Sequence, residues 1–526
     1  MFIVKYYLLG ALVALLAAIY IPQIVVSLLL LWVSLSLALV SAAYLFDFPS
    51  IFRKSQDGKI VWWIRWAFIP FLLGAKAYNA WERRRDTVPP IQQVSENLYL
   101  SRRLFPSDLA FLDSHDISCI VDVTAEFAGL ESAMTDKQFN YLSIPVLDHK
   151  APTLERLRHA MNWIDTQIAC GRSVVVHCAL GRGRSVFVVA AYLLSKDPSL
   201  SVESVMQKIN RVRSTARLNN LQIKILRAIS EKGVLTLDEP TWMVVNPVAG
   251  GGKWQQYEQH VIRELTKKYR LSIRQTNETT SAESLALQAK QSGVNQVIVS
   301  GGDGTVTEVA ALCHVLYGIG VKLSPVEKAC EAILAGHCQR IDTAECNQRL
   351  ILLVLGIGLE QKMIEHAHRE EKNAFGQLAY LTGFFNAVIS EEVQTLQVTL
   401  EGQAASEQGW ESQEMEVHSF VVANIAPFST VLAQGGGAPQ PDDGKLHITY
   451  LDNTQSLGGR LVALSDLTLT SVGAQDESNL FQYASATGVT ITADKPIDYV
   501  IDGELYSDRR LEIKIRPQSL NVFVPS

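Results

Sequence analysis

The residues with the most chemistry to offer lie in one run, His177-Cys178-Ala179-Leu180-Gly181-Arg182-Gly183-Arg184-Ser185. It places a cysteine ahead of two glycines, two arginines and a serine. In a Gly-containing loop that leads into a helix, backbone N–H groups point inward and the helix dipole favours an anion. A cysteine that opens such a loop is expected to carry a depressed pKa and to act as a thiolate nucleophile. Arg184 can grip two phosphoryl oxygens with its planar fork. A second glycine-rich run is Gly301-Gly302-Asp303-Gly304-Thr305. Its glycines let backbone approach a phosphate, and Asp303 can position a nucleotide or its Mg²⁺.

Each run needs a strand before it and a helix after it. Residues 172–177 (RSVVVH) read as a buried strand and 186–194 as a helix. Residues 118–123 (SCIVDV) and 141–146 (YLSIPV) read as further strands, and 154–168 has helical periodicity. This α/β pattern begins after a linker at Thr87-Val88-Pro89-Pro90. Farther on, 242–246 (WMVVN) is an apolar strand that runs into Pro247-Val248-Ala249-Gly250-Gly251-Gly252-Lys253. The spacing is not that of a Walker A loop, and Trp254 follows the lysine. Strands at 271–275 and 295–300 alternate with helices, which implies a largely parallel sheet. Residues 350–516 hold many alternating strands, such as VQTLQVTLEG and GVTITAD.

The first run resembles the HCxxGxxRS signature of cysteine-dependent phosphatases, in particular the dual-specificity branch, and the resemblance covers about 92–233. It implies a two-step mechanism. Cys178 attacks phosphorus, and Arg184 with the amides of the loop, including His177, Ala179, Leu180, Gly181, Arg182 and Gly183, stabilises the equatorial oxygens. Asp148, thirty positions before Cys178 on a loop after a strand, matches the general acid. It protonates the leaving oxygen and then activates water, while Ser185 helps the thiolate depart. Arg211, Arg213 and Gln222 resemble the family's terminal pattern. Cys119 and Cys170 are expected to be core or structural residues. The resemblance implies no cofactor for this domain. A phospholipid phosphate, such as a phosphatidylglycerophosphate or phosphoinositide, suits a membrane-held domain, with phosphoprotein as the alternative.

The remainder resembles the diacylglycerol kinase catalytic family, which includes bacterial lipid kinases and sphingosine kinases. The match rests on NPxxG at Asn246–Gly250, on the GGDGT run, on Gly356-Ile357-Gly358-Leu359-Glu360 and on Phe375-Gly376-Gln377-Leu378-Ala379-Tyr380. Gly435-Gly436-Gly437, Pro441-Asp442-Asp443-Gly444 and Asp502-Gly503-Glu504 complete it. It implies a nucleotide subdomain at about 240–345 and a β-rich lipid subdomain at 346–526 whose last strands return to the first. ATP and Mg²⁺ would be required. Asn246, Gly250, Gly301, Gly302, Asp303, Gly304 and Thr305 would bind nucleotide, and Glu504 would be a base on the lipid hydroxyl. Asp442 and Asp443 are candidates for a Mg²⁺-linked network, although Asp-Asp-Gly is also a good turn. One departure is legible. The family's Gly-Thr-x-Asn loop has no counterpart, and 309–318 reads as one helical stretch with no strand before the next helix at 328–334. A deletion near Ala310-Ala311 that fused two helices is the expectation.

Composition sets the frame. The 526 residues are 48% hydrophobic and 19% charged with a net charge of −6, which excludes a disordered chain and a globally basic nucleic-acid binder. Mean hydropathy is +0.12. The first 90 residues carry a net charge of +5 in the most apolar part of the chain, the pattern of a membrane anchor with basic flanks. Lys5 is the only charge in residues 1–46, which read as two spans at about 4–20 and 24–45 around Pro22-Gln23. A Trp-rich segment at 60–78 reads as interfacial or re-entrant, with a third span as the alternative. Lys5, Arg53, Lys54 and Arg83-Arg84-Arg85 favour a cytoplasmic face for a multi-pass anchor, with the catalytic domains on that side. Seven cysteines without a CxxC pair fit neither a disulfide framework nor a zinc site. The expected protein is therefore multidomain: transmembrane helices, an α/β phosphatase domain, then an α/β nucleotide domain with a β-rich partner. Its partners would be membrane lipids, ATP and a phosphorylated lipid or phosphoprotein, with no nucleic acid. Two functions stay open, a bifunctional lipid phosphatase and kinase, or a tethered phosphatase with a non-catalytic kinase-like domain.

Overall fold

The computed structural model describes residues 2–129, 139–237, 239–294, 296–312, 315–320, 326–358, 394–402, 412–425, 440–452 and 482–524. The chain divides into two compact units, Met1–Thr241 with Glu258–Ile273, and Trp242–Tyr257 with Arg274–Ser526.

The first unit begins with two apolar helices, α1 (Phe2–Tyr20) and α2 (Ile24–Leu45). Pro22 separates them, because a proline lacks the N–H a helix interior needs. Ser27 Oγ donates to Ala18 O at 2.6 Å and Ser34 Oγ to Ala11 O at 2.8 Å, which pins the helices as a hairpin. By length and composition α2 can cross a membrane, while the apolar stretch Val4–Tyr20 is shorter. The Trp-rich segment forms two helices, α3 (Trp62–Ala67) and α4 (Ile69–Arg85). Trp62, Trp66 and Leu73 are exposed, whereas Phe68 and Phe71 are buried beside Phe52 and Tyr44. Ala125 and Leu147, from farther along the chain, belong to the same cluster.

A five-stranded sheet follows, built from β1 (Ile91–Ser95), β2 (Leu98–Ser101), β3 (Ile117–Asp122), β4 (Asn140–Ser143) and β5 (Ser173–His177). The order is β1-β2-β5-β3-β4, and only β1 with β2 is antiparallel. β5 is buried at all five residues, as a central parallel strand covered on both faces should be. Helix α5 (Leu109–Ser114) precedes β3, and α6 (Leu154–Ala169) precedes β5. Helix α7 (Arg184–Lys196) starts at the end of the loop that follows β5 and is buried from Arg184 to Ser195, so its apolar residues cover all sides. Helices α8 (Val202–Val212) and α9 (Asn220–Glu231) complete the unit.

The second unit starts at β6 (Thr241–Val245), the single turn α10 (Ala249–Gly252) and α11 (Trp254–Leu265). Most of α11 belongs by its contacts to the first unit, a division the sequence does not announce. Arg172 Nη2 meets Glu258 at 2.8 Å and Asn162 Nδ2 donates to Thr266 O at 3.2 Å. Next come β7 (Leu271–Gln275), within which the units divide, α12 (Ala282–Gln291), β8 (Val297–Gly301) and α13 (Asp303–Ala310). A strand, β9 (Val315–Gly320), lies before α14 (Val326–Ala335). It pairs in parallel with β8, which corrects the expectation of two fused helices. A short apolar run satisfies both helical and strand periods, and here pairing decides.

The rest is antiparallel: β10 (Cys338–Cys346), β11 (Arg349–Ile351), β12 (Val354–Gly358), β13 (Gln394–Glu401) and β14 (Gln413–Ala423). β15 (Leu446–Asp452), β16 (Gln482–Ala486), β17 (Gly488–Ile501) and β18 (Glu504–Phe523) follow. β18 pairs with β17 and β10 and, through Asn521 and Val522, in parallel with β9. One strand thus ties the β-rich part to the β/α part.

Within the first unit, an ion pair fastens the segment between α2 and α3 to the five-stranded sheet. Lys54 Nζ lies 2.7 Å from Asp122 Oδ2 at the end of β3, with both side chains 1% exposed. Breaking a buried pair strands the remaining charge. Lys54→Ala is expected to destabilise the first unit by about 3 kcal/mol or more. Thermal unfolding in detergent micelles checks this against Arg227→Ala, which breaks the exposed pair with Glu203 and should leave the midpoint in place.

Candidate active sites

In the first unit, the loop between β5 and α7 turns its carbonyls outward. Val123 N donates to His177 O at 2.9 Å, Arg103 N to Ala179 O at 3.2 Å and Arg217 N to Arg182 O at 2.7 Å. Arg213, fully buried, donates from Nε to Gly181 O at 2.8 Å and from Nη2 to Leu180 O at 3.2 Å. Phe187 N takes Gly183 O. With the carbonyls engaged outside, the amides are left to face the loop interior, as anion binding requires. Gly181 makes the turn possible. Its φ is +67°, and a Cβ there would sit 2.6 Å from Ser101 O.

Cys178 is buried at the mouth of this loop, and Ser185 Oγ donates to its Sγ at 3.2 Å. Arg184 is 1% exposed. Its two Nη atoms meet Glu126 at 2.7 and 2.8 Å, and Nη1 also donates to Val146 O at 2.8 Å. Its Nε is buried without a hydrogen-bond partner among the described residues, 3.3 Å from Asp148 Oδ1. One edge of the guanidinium is therefore anchored and the other is aimed at the space beside the acid loop. Asp148 is half exposed, with His149 Nε2 at 3.4 Å. Gln222 caps α9 with Asn219 and donates to Lys150 O at 2.8 Å, which fixes the far end of that loop.

Beneath the loop lies a buried charge network. Burial alone would raise the Asp122 carboxyl, but Lys54, His177 and Tyr141 together hold it well below the usual range. Tyr141 OH donates to Asp122 at 2.6 Å. Burial pushes the His177 imidazole down, against the pull of Asp122 at 3.9 Å, so the ring is neutral near pH 7. Neither Glu126 nor Lys54 was legible as a site residue, because neither lies in the loop motif. Their one signal is a charge in an otherwise apolar or structured stretch.

Arg182, expected at the phosphate, has its side chain elsewhere. Its Nη atoms meet Glu82 at 2.5 Å and Asp86 at 3.4 Å, at the end of α4. Only its backbone remains with the loop. In the arginine triplet, Arg83 lies over the Phe105 ring at 4.1 Å and Arg85 over Trp81 at 3.8 Å.

In the second unit, β8 delivers Gly301 and Gly302 to the start of α13. Asn246 Nδ2 donates to Thr305 Oγ1 at 3.1 Å, so the NPxxG and GGDGT runs meet. Gly250, Gly251 and Gly252 all have positive φ, between 63° and 77°, a path that suits glycine alone. A Cβ on Gly304 would lie 3.3 Å from Glu504 Oε1, which places the exposed Glu504 carboxylate beside the start of α13. Asp502 holds that corner. It is buried and accepts from the amides of Leu352, Leu353 and Val354 at 2.7–2.9 Å and from Thr307 Oγ1 at 3.0 Å. The Asp303 side chain, Leu359, Glu360, 375–380 and 435–437 lie outside the described residues.

Asp442 and Asp443, the candidates for a Mg²⁺-linked network, turn to separate partners. Asp442 accepts from Gln339 Nε2 at 3.1 Å, and Asp443 meets His447 Nε2 at 2.8 Å. Among the described residues no group of three or more potential ligands could hold a metal ion. Buried Asp342 instead organises this turn, accepting from Gly444 N at 2.6 Å and from Gln518 N at 2.7 Å.

Comparison with known proteins finds two catalytic-domain families along the chain. The dual specificity phosphatase catalytic domain matches residues 98–232, and the diacylglycerol kinase catalytic domain matches 240–314. A protein of Synechocystis, sll0036, is 30% identical over 314 residues, covering 54% of this chain and 70% of its own length. The "Probable lipid kinase YegS-like" of Pseudomonas aeruginosa is 27% identical over 49% of this chain and 85% of its own. Phosphatidylglycerophosphate phosphatase PTPMT2 of Arabidopsis thaliana is 26% identical over 26% of this chain and 61% of its own. The chain belongs to the family of the Synechocystis protein, and it joins a dual specificity phosphatase catalytic domain to a diacylglycerol kinase catalytic domain.

Asp502 makes the second unit sensitive to pH. Burial raises its carboxyl to about 6, against the opposing pull of its hydrogen bonds. Between about pH 4 and 6 the folded state holds more proton than the unfolded chain. Stability from this group is therefore fully present below pH 4 and lost as pH rises through 6, by up to roughly 3 kcal/mol. Urea midpoints for the second unit at pH 4, 5, 6 and 7 should fall along this series, and Asp502→Asn should remove the slope. A flat wild-type series would rule out the assignment.

Proposed function

We propose that this chain is a membrane-seated enzyme with two opposed activities. Its first catalytic domain hydrolyses a phospholipid phosphomonoester through a phosphocysteine intermediate. Its second transfers phosphate from ATP to a lipid hydroxyl of the diacylglycerol type. The observation that carries the reading is the loop around Cys178, with its carbonyls tied outward and Ser185 Oγ at 3.2 Å from the sulfur. Lipid rather than protein is supported by the anchor cluster, which includes Ala125 and Leu147, the neighbours of Glu126 and Asp148. The name of the Arabidopsis relative points the same way. We place α1 and α2 as a two-span hairpin with both catalytic domains on the cytoplasmic side, following Lys5, Arg53 and the arginine triplet.

In the first step the Cys178 thiolate forms an S–P bond as the P–O bond to the alcohol breaks. Asp148 gives its proton to the departing oxygen. The amides and the Nε edge of Arg184 hold the three equatorial oxygens. In the second step water attacks phosphorus and passes a proton to Asp148. The S–P bond breaks, and Ser185 Oγ donates to the released thiolate. In the kinase, the amides at the start of α13 would hold the ATP phosphates. Glu504 would take the proton of the lipid hydroxyl as the hydroxyl oxygen bonds to the terminal phosphorus and the bond from that phosphorus to ADP breaks, releasing ADP.

A second reading has the kinase domain bind without turnover, and the missing Gly-Thr-x-Asn loop favours it. Full-length protein in mixed micelles separates the two. Cys178→Ser should lower phosphate release from a phospholipid phosphomonoester at least about 1,000-fold. In that background, labelled ATP and diacylglycerol should give phosphorylated lipid, and adding Glu504→Gln should cut its formation about 100-fold. Phosphate release that survives Cys178→Ser would sink the phosphocysteine route. No labelled lipid from otherwise intact protein would select the second reading.

A further inference from the structure

Beside the phosphatase loop is a pocket of about 230 Å³ that the phosphatase fold does not close alone. Lys76 and Arg83 of α4 line one side, and Arg103, Phe105, Phe127 and Ala179 line the other. Helix α4 ends before the stretch matched by the phosphatase domain, so Lys76 and Arg83 are additions to that domain's own machinery. Among the described residues the lining includes three cations and no carboxylate. The two acids at the end of α4, Glu82 and Asp86, are turned to Arg182 instead.

The cations are placed rather than scattered. Arg83 Cζ lies 4.1 Å from the Phe105 ring centre, and Arg103 Cζ lies 5.6 and 5.1 Å from the Phe105 and Phe127 rings. Stacking on aromatic faces fixes a guanidinium in position. Ala179 follows the nucleophile directly, and its carbonyl is tied to Arg103 N at 3.2 Å. The pocket therefore begins one residue from the place where the scissile phosphoryl group must sit. Positive charge on carbon walls at that separation suits a second phosphate, joined to the first by a short polyol. Helix α4 also exposes Leu73, Tyr78 and Trp81, and its buried Phe71 belongs to the anchor cluster. An apolar tail on the same substrate would have carbon to meet.

We propose that Lys76, Arg83 and Arg103 form a second anion subsite, built jointly by the anchor helix and the phosphatase fold. It selects phospholipids whose headgroup carries a phosphodiester beside the terminal phosphomonoester. The proposal rests on the phosphatase reading above. Lys76 is the specificity-determining residue best suited to a test, because it is exposed and its substitution does not disturb the core.

The experiment uses full-length protein in mixed micelles. Its substrates are phosphatidylglycerophosphate, which has both phosphates, phosphatidic acid, which has only the monoester, and a phosphotyrosine peptide. Wild type is expected to favour the first in kcat/KM. Lys76→Glu should lower the preference for it over phosphatidic acid about tenfold, through KM rather than kcat. Lys76→Arg should restore it. The water-soluble deacylated headgroup should show the same sensitivity, because the second phosphate is what the pocket reads. A preference that stays within twofold in Lys76→Glu overturns the proposal, as does a loss confined to the micellar lipid, which would report attraction to the surface. Higher kcat/KM for the peptide overturns it in favour of a protein substrate. If no substrate is hydrolysed, or if Cys178→Ser hydrolyses all of them, the phosphatase reading itself fails, and that outcome is distinct.

Discussion

A peptide loop that offers its N–H groups to an anion must dispose of the same number of carbonyls in a dry interior. Each buried carbonyl left without a partner would cost about 1–3 kcal/mol. In the first unit this constraint recruits donors from three directions. Val123 follows β3, Arg103 follows β2, and Arg213 and Arg217 follow α8. Arg213 does most, since one guanidinium serves Leu180 and Gly181 and also reaches Pro89 O and Gln92 Oε1 at 3.0 Å. The linker from the anchor is thereby fastened through the same side chain as the catalytic loop. A loop of glycines would otherwise be the most mobile part of the domain. Here its path is dictated from outside.

The second demand is charge. Arg184 is taken out of water entirely, and an isolated buried cation is untenable. Glu126 answers it on one edge, which leaves the other edge committed to the position a phosphoryl group would take. The same logic repeats below the loop, where Asp122 is answered by Lys54. That lysine comes from the segment between the anchor helices, not from the phosphatase domain. Moving the segment away would strand a carboxylate under His177. Seating of the anchor and integrity of the catalytic floor are thus one electrostatic problem, solved once.

These partnerships explain what the sequence could disclose. The Cys178 loop is local, so its strand, its turn and the start of α7 were all readable from one unbroken stretch, 172–194. Glu126 reaches Arg184 across 58 positions and Lys54 reaches Asp122 across 68, and no periodicity records such a distance. Arg182 shows the same limit. The motif assigned its amide to the loop but held no sign that Glu82 and Asp86 claim its side chain. The strand β9 was hidden because an apolar run after a helix continues either period. In the Asp-Asp-Gly turn, the family resemblance suggested a Mg²⁺-linked network, and nothing local disclosed that Asp342, about a hundred positions earlier, sets the turn by accepting the Gly444 amide.

The missing Gly-Thr-x-Asn loop can now be weighed against what holds the second site together. Glu504 opens β18, a strand that pairs with β17, β10 and β9 over twenty residues. The turn before it is locked by Asp502 to three amides of residues 352–354 and to Thr307 on α13. Helix α13 in turn begins at the GGDGT run, whose Thr305 is held by Asn246. The position of Glu504 beside Gly304 therefore follows from sheet pairing and one buried carboxylate. Apart from the short parallel pairing of β18 with β9, these contacts lie outside the segment that lacks the loop. What its absence removes is a grip on the nucleotide, while the frame that would bring a carboxylate to the phosphate-binding turn is built from other parts of the unit.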